Sequence, residues 1–374
     1  MAWPSTNWLD ADYGFGRAIT IPDALLTGAS LTDVVAIIRV SGDFSEARAD
    51  GNDIKWAEGA GDTEIPYATI SFDNGASGHW VGYVAFDTPA SGAETLYFYY
   101  GKPGETVSQA DPTNLHANMQ RHWDLDANGD DLTGNDDLTN SGVAFNGTNA
   151  KITDHDSGDF ELGDGDSLDG GTGSPWSIDE FTLLFWVRHE SVTLGTPQAY
   201  VAKTDTVPAS VQDVVLYSAK TADAGQTEWD FIIKTGGSDA TGSTELWDEN
   251  VGPDNATWHL KCCRYDGSNM YLDADGAPGA AIDVSTAKTG NIRQNAWAWY
   301  VGDVVTFAPY DGRMFGVRLL DSYQTDDWVD TVYNIENDNG ASLTIGSEQT
   351  APVAGGAPTA TLRGPLFGPL GGPI

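Results

Sequence analysis

Through the first 110 residues, six runs gather β-branched and aromatic side chains: Arg17 to Ile21, Val34 to Val40, Asp53 to Trp56, Tyr67 to Phe72, Trp80 to Phe86 and Thr95 to Tyr100. Turn-forming residues divide them at Ser41-Gly42-Asp43, Ala49-Asp50-Gly51-Asn52, Asp73-Asn74-Gly75 and Ser91-Gly92. Short strands at this spacing predict a small β-sandwich. Further on, Trp258 to Tyr265 and Asn269 to Leu272 form two more strand-like runs. Asp266-Gly267-Ser268 joins them, and Asp275-Gly276 follows the second. Such turns supply the positive φ that a tight reversal needs, so a hairpin is predicted. A lone hairpin does not hold its shape in water, and other strands must cover it.

Three more stretches fall in order around that hairpin. Phe181 to Arg188 reads Phe-Thr-Leu-Leu-Phe-Trp-Val-Arg, Tyr300-Val301-Gly302 is a short strand ending, and Tyr310 to Arg318 reads Tyr-Asp-Gly-Arg-Met-Phe-Gly-Val-Arg. Together with the Trp-His, Tyr-Asp-Gly and Tyr-Leu-Asp phrases of the hairpin, these stretches resemble the laminin-G-like, concanavalin-A-like jelly-roll domains over about residues 120 to 345, and the resemblance implies a short terminal helix over Asp326 to Asn334. The first module is similar to a short uncharacterised β-domain that precedes jelly rolls in microbial surface proteins. Arg17 to Ile21, Asp50 to Trp56, Ile65-Pro66-Tyr67, Trp80-Val81 and Leu96 to Pro103 carry that likeness, which implies architecture and no chemistry. The expected fold class is therefore all-β, with two β-sandwich domains and an extended C-terminal tail. The expected boundaries are an N-terminal sandwich over 1–110, a linker over 111–122, a jelly roll over 123–346 and the tail over 347–374.

Composition narrows the function. The 374 residues carry a formal net charge of −37, from 55 Asp and Glu against 18 Lys and Arg. That surface repels phosphate backbones and anionic lipid, which excludes nucleic acid and membrane as direct partners. Abundant acid with little lysine is also the composition of halophilic and marine proteins, where salt screens the self-repulsion. No stretch of about eighteen apolar residues occurs. The opening Met1 to Asn7 has neither the basic nor the apolar segment of a secretory leader, so synthesis in a cytoplasm is expected. Two cysteines, Cys262 and Cys263, are adjacent on a predicted strand; they face opposite ways and are expected to be buried and unbridged.

Candidate chemistry is sparse. Asp124, Asp126, Asn128 and Asp130 match the opening of a calcium loop, where alternate oxygens converge on Ca²⁺. Asn135 stands where a bidentate Glu would close the site, so a solvated acidic turn is the reading the residues favour. Jelly-roll glucanases carry three alternating acids on one strand. Here the nearest string, Glu228-Trp229-Asp230-Phe231-Ile232, has two and lacks the third, so no enzyme is expected. Among 13 Trp and 14 Tyr, Trp297, Trp299 and Trp247 are candidate glycan-binding platforms, although strand aromatics are usually core.

The tail from Ala351 to Ile374 is rich in Gly and Pro yet presents Leu362, Leu366, Phe367, Leu370 and Ile374. Such a segment suits an apolar groove on another subunit. These features together lead to the expectation of a non-enzymatic virion surface protein: a decoration, fibre or tail appendage on a phage or archaeal virus. Its tail would attach to capsid or tail proteins and to symmetry mates, and its jelly roll would meet host cell-surface glycans. The alternatives are a cellular carbohydrate-binding surface protein and a glycoside hydrolase with a composite acid pair.

Overall fold

The computed structural model describes residues 12–59, 63–125, 130–134, 137–141, 161–162, 167–169, 180–189, 198–204, 212–220, 227–234, 243–248, 258–275, 286–287, 298–302 and 312–351. Its first strands are β1 (Phe15–Ile21), β2 (Leu31–Gly42), β3 (Lys55–Glu58), β4 (Thr63–Glu64), β5 (Tyr67–Asp73), β6 (Gly78–Thr88) and β7 (Glu94–Tyr100). Next come β8 (Met119–Trp123), β9 (Thr139–Ser141), β10 (Glu161–Leu162), β11 (Ser167–Asp169), β12 (Phe181–His189), β13 (Gln198–Thr204), β14 (Gln212–Lys220), β15 (Thr227–Lys234) and β16 (Ser243–Asp248). The series closes with β17 (His259–Tyr265), β18 (Asn269–Ala274), β19 (Thr286–Ala287), β20 (Ala298–Val301), β21 (Gly312–Leu320), helix α1 (Asp326–Asp338), β22 (Thr344–Ile345) and β23 (Gln349–Thr350).

Four antiparallel sheets result, which makes the chain an all-β sandwich protein as expected. The first runs β22-β1-β7-β3-β4, with β23 also on β1, and the second runs β2-β6-β5. The third is β10-β21-β12-β17-β18-β19, with β8 beside β21, and the fourth is β16-β15-β14-β13-β20-β11-β9. All six strands expected in the first module form. One is displaced: the run placed at Asp53 to Trp56 begins at Lys55, because Asp53 turns inward and accepts the backbone N–H groups of Arg48 and Gly101. The hairpin forms as β17 and β18, pairing Tyr265 with Met270 and Cys263 with Leu272. Gly267 takes a φ of 82° in its turn, while the Asp266 carboxylate accepts from the Ser268 and Asn269 amides.

Residues 111–122 are more structured than a linker. A 3-10 turn at Pro112–Asn114 leads into β8, which joins β21 and places Arg318 opposite His122. The helix runs further than Asn334. Thr325 caps its start, with its hydroxyl accepting from Trp328 N at 3.3 Å, and Asn339 ends it at a φ of 53°. Trp328, Val329, Val332 and Ile335 recur at helical spacing and are buried. The tail drawn from 347 opens as a strand: β23 pairs with β1, and Ala351 N donates to Gly14 O.

One core unites the sandwich of the first module with one face of the third sheet. It runs from Trp56, Trp80 and Phe98 through Val35 and Ile37 to Leu184, Trp186, Cys262, Phe315 and the buried helix residues. Phe185, on the opposite face of β12, meets Tyr200 with ring centroids 5.7 Å apart, and so the third and fourth sheets face each other.

The open edge of β2 explains how the pieces lock. An unpaired strand edge leaves N–H and C=O groups that must find partners when buried. Here three alternate residues find them on other elements. Asp33 O accepts from Trp328 Nε1 at 3.3 Å, Val35 O accepts from Arg318 Nη1 at 2.9 Å, and Ile37 N donates to Glu336 Oε1 at 3.0 Å. Arg318 and Glu336 also form a two-pronged ion pair at 2.8 and 3.0 Å, and Trp186 Nε1 donates to Glu336 Oε2 at 2.6 Å. Burial works against the Arg318 charge, and the Glu336 carboxylate more than reverses this, holding the guanidinium above its ordinary pKa.

Candidate functional site

The register of the fourth sheet sorts its residues onto two faces. Across neighbouring strands, Val301, Val201, Leu216, Phe231 and Leu246 stand in one line. Val301 and Val201 of this apolar line are fully buried, and so is Ala202 in the line of opposite parity. The line beside it, of opposite parity, reads Tyr217, Asp230 and Trp247 on β14, β15 and β16. Glu228 shares that face two positions along β15, and Tyr300 shares it on β20, where it pairs with Ala202. Aromatic and carboxylate positions are therefore interleaved on one face.

The predicted tryptophans separate under this sorting. Trp247 lies in the line with Asp230 and Tyr217. Trp299 lies two positions from Val301 and pairs with Lys203 of β13. Trp297 lies outside the described residues. Tyr217 and Tyr300 were missed by the sequence reading because Val214 to Tyr217 is a continuous apolar and aromatic run, and only the register reveals which positions share a line.

Of the acid string on β15, Glu228 and Asp230 share a face, and Ile232 occupies the next position on it. That arrangement supplies two adjacent acids and no third. In the acidic loop, the Asp124 carboxylate accepts the Tyr83 hydroxyl at 2.9 Å, which ties it to the first module. Asp130 is exposed, and Asp126 and Asn128 lie outside the described residues. The carboxylate of Asp131, just beyond, accepts from His122 N and from both the amide and hydroxyl of Thr133. Among the described residues no group of three His, Cys, Asp or Glu is arranged to hold a metal ion.

Gly316 shows why Asp124 sits where it does. It occupies a bulge of β21 at a φ of 63°, its N–H donates to Asp124 O, and an added Cβ would stand 2.9 Å from the Tyr83 hydroxyl. His122 packs edge-on against the Tyr83 ring, 4.1 Å between centroids, and burial followed by the nearby Arg318 charge pushes its pKa well below the usual histidine value. Both cysteines are buried and unbridged, and burial raises both thiol pKa values. The residues of the tail, Leu362, Leu366, Phe367, Leu370 and Ile374, lie outside the described residues.

A second polar cluster joins the hairpin to the helix. Arg264 Nη2 contacts Asp273 at 2.8 Å and Asp326 at 2.6 Å, while Nη1 donates to Gln324 O at 2.8 Å. The guanidinium lies against the Tyr271 and Tyr323 rings, 5.2 and 5.1 Å from their centroids. At the hairpin's end, His259 Nδ1 is 2.6 Å from Asp275 Oδ2.

No family model and no curated protein matches the chain. Among solved structures it is similar to domain 4 of AbnA, a GH43 extracellular arabinanase from Geobacillus stearothermophilus, in complex with arabinotriose. The two share 14% identity over 57% of this chain and 98% of that one, with a TM-score of 0.39. The receptor binding domain of a botulinum neurotoxin C/D mosaic serotype matches at 11% identity over 58% of this chain and 51% of that one, TM-score 0.40. A heptameric SAP-like pentraxin from Limulus polyphemus matches at 10% over 48% and 85%, TM-score 0.33. Likeness this slight carries no argument about what the chain binds.

Proposed function

We propose that this chain is a non-enzymatic display protein that binds glycans on the outer face of its fourth sheet. The observation that supports the reading is the line of Tyr217, Asp230 and Trp247, held in register across three strands on the face opposite the apolar line. A pyranose stacks its C–H face on an aromatic ring and offers hydroxyls to a neighbouring carboxylate, so interleaved aromatic and acidic positions suit a neutral sugar chain. Glu228 and Asp230 without a third acid at position 232 suit binding in place of hydrolysis.

The test is a glycan array followed by titration calorimetry on the best hit. Trp247→Ala and Tyr217→Ala are each expected to weaken binding by about tenfold or more, in the manner of central aromatic anchors. Binding that survives both substitutions would remove the site. Release of reducing sugar that Asp230→Asn abolishes would make the protein an enzyme after all.

The finer proposal is that the display takes place on a virion surface. What supports it is the sequence: two sheet-built modules, a net charge of −37, and a Gly/Pro tail carrying Leu362, Leu366, Phe367, Leu370 and Ile374. In this reading the tail seats in capsid or tail proteins or in symmetry mates. Because β23 belongs to the first sheet, truncation must fall after Ala351 to spare it. The truncated chain is expected to fold and to lose attachment to the particle; retained attachment would refute the anchor.

A further inference from the structure

The second sheet ends in a polar corner. On β2, Arg39 pairs with Val81 of β6, which pairs in turn with Ser71 of β5. Two positions along the strands, Ser41, His79 and Asp73 form the next line on the same face. Diagonal neighbours such as Arg39 and His79 stand about 7–8 Å apart, within reach of long side chains. Ser71 Oγ lies 2.9 Å from His79 Nε2 and holds the ring. The left-handed turn that ends α1 closes over the corner: a Cβ added to Gly340 would stand 3.3 Å from both Cβ and O of Arg39. Ser41 and Asp73 are exposed, so the corner opens to solvent on that side.

In a strongly acidic chain, this corner holds a cation without a counter-charge. Arg17, Arg48, Arg121, Arg264 and Arg318 each reach an acid at 2.6 to 3.9 Å. Arg39 has no such contact among the described residues, and its Nη1 is buried without a hydrogen-bond partner. The nearby acids are already engaged. Both oxygens of Glu336, one turn back along α1, serve Arg318, Ile37 and Trp186. Asp338 accepts from the amide and hydroxyl of Ser342, and Asp73 accepts from Gly75 N. The end of a helix adds only about half a negative charge. Asn339 Oδ1, in the turn that covers Arg39, is also buried without a partner. The corner thus leaves a buried donor and a buried acceptor unmet, which is a costly state for polar groups.

We propose that this corner binds a small, hydroxyl-bearing oxyanion of the phosphate class, which accepts from the Arg39 guanidinium and the His79 ring and donates its own hydroxyl to Asn339 Oδ1. The guanidinium fork matches two oxygens of such a group. Chloride is a single acceptor atom with no hydroxyl, and sulfate has no hydroxyl near neutral pH. A polymeric anion would bring further charge up to Asp73 and to a chain of net charge −37, so the occupant is a free anion. The titration of the corner agrees with a missing counter-ion. Burial lowers the Arg39 pKa; burial, and then the Arg39 charge, lower that of His79 against the opposing effect of Asp73. An anion bound by both side chains reverses both shifts.

The experiment titrates the full chain with inorganic phosphate by calorimetry near neutral pH, with ionic strength held constant by sodium chloride. Saturable binding is expected, and weaker binding of sulfate. Arg39→Met is expected to weaken phosphate binding by about tenfold or more and His79→Gln by about threefold, because a hydrogen bond to a charged group contributes more than one to a neutral ring. Heats no larger than those of chloride would leave water as the occupant and overturn the proposal, as would unchanged phosphate binding by Arg39→Met. Sulfate that binds as tightly as phosphate would overturn the hydroxyl contact to Asn339. A further measurement needs no variant: on adding phosphate to the wild type, amide NMR shifts are expected at Arg39, His79 and Gly340. Shifts confined to other parts of the chain would overturn the proposal equally.

Discussion

Arg318 and Arg264 project from the same face of the third sheet, opposite Leu184 and Thr182 of β12, and helix α1 supplies an acid to each. Their surroundings differ in depth and in charge balance. Arg318 is fully enclosed and meets one carboxylate in two-pronged geometry, so its charges cancel. Arg264 is equally enclosed, yet Asp326, one of its partners, is 58% exposed at its side chain, and acids outnumber the arginine. Beside the unbalanced cluster, burial and then the charges of Asp273 and Asp326 raise the Asp330 carboxyl to about 7. Depth makes an ion pair rigid; stoichiometry decides whether it also responds to protons.

The largest expected effect breaks the balanced side. Glu336→Gln leaves the Arg318 guanidinium buried without a counter-charge, and such uncompensated charge costs about 3–5 kcal/mol. Urea unfolding is expected to show a loss of that size. The paired change Arg318→Met with Glu336→Leu sharpens the point. Where an ion pair stands alone, replacing both partners with apolar residues is often close to neutral. Here Val35 O, Ile37 N and Trp186 Nε1 would lose their partners as well, so the double variant is expected to remain clearly destabilised. Full recovery in the double variant would mean that the pair does not serve the β2 edge.

How much of this could be read beforehand follows the range over which each signal acts. Strands of the first module and the hairpin are marked by β-branched and aromatic runs between turn residues, and they form close to where those marks fall, with β3 displaced to Lys55. Strand β8 escaped because His122 and Arg121 interrupt its apolar pattern, although both are buried. The helix starts at Asp326, where the family resemblance placed it, but it runs past Asn334 to Asp338, where Asn339 adopts a left-handed conformation. Neither joint was legible. Val35 and Arg318 lie 283 positions apart, and an arginine in a Val-Arg strand ending reads as a surface residue until the edge of β2 is brought against it. The same applies to the line of Tyr217, Asp230 and Trp247. Its residues are ordinary strand members, and only the pairing of three strands puts them side by side.

The smallest expected effect tests the unbalanced side through the cap that positions it. Thr325 is the residue before Asp326, and its hydroxyl accepts the Trp328 amide at the start of the helix that follows β21. Thr325→Ala removes that acceptor while leaving every charge in place, and loss of such a cap costs about 1 kcal/mol. Urea unfolding near neutral pH is expected to show this modest loss. Because acidic residues already crowd the first turn and favour its positive dipole end, part of the helix start is held without the cap. Thr325→Ala is therefore expected to rank well below Glu336→Gln. If it proved the more damaging of the two, the strength of the joint would lie at the start of the helix and not at the buried pair, and the contrast between the two arginines would be reversed.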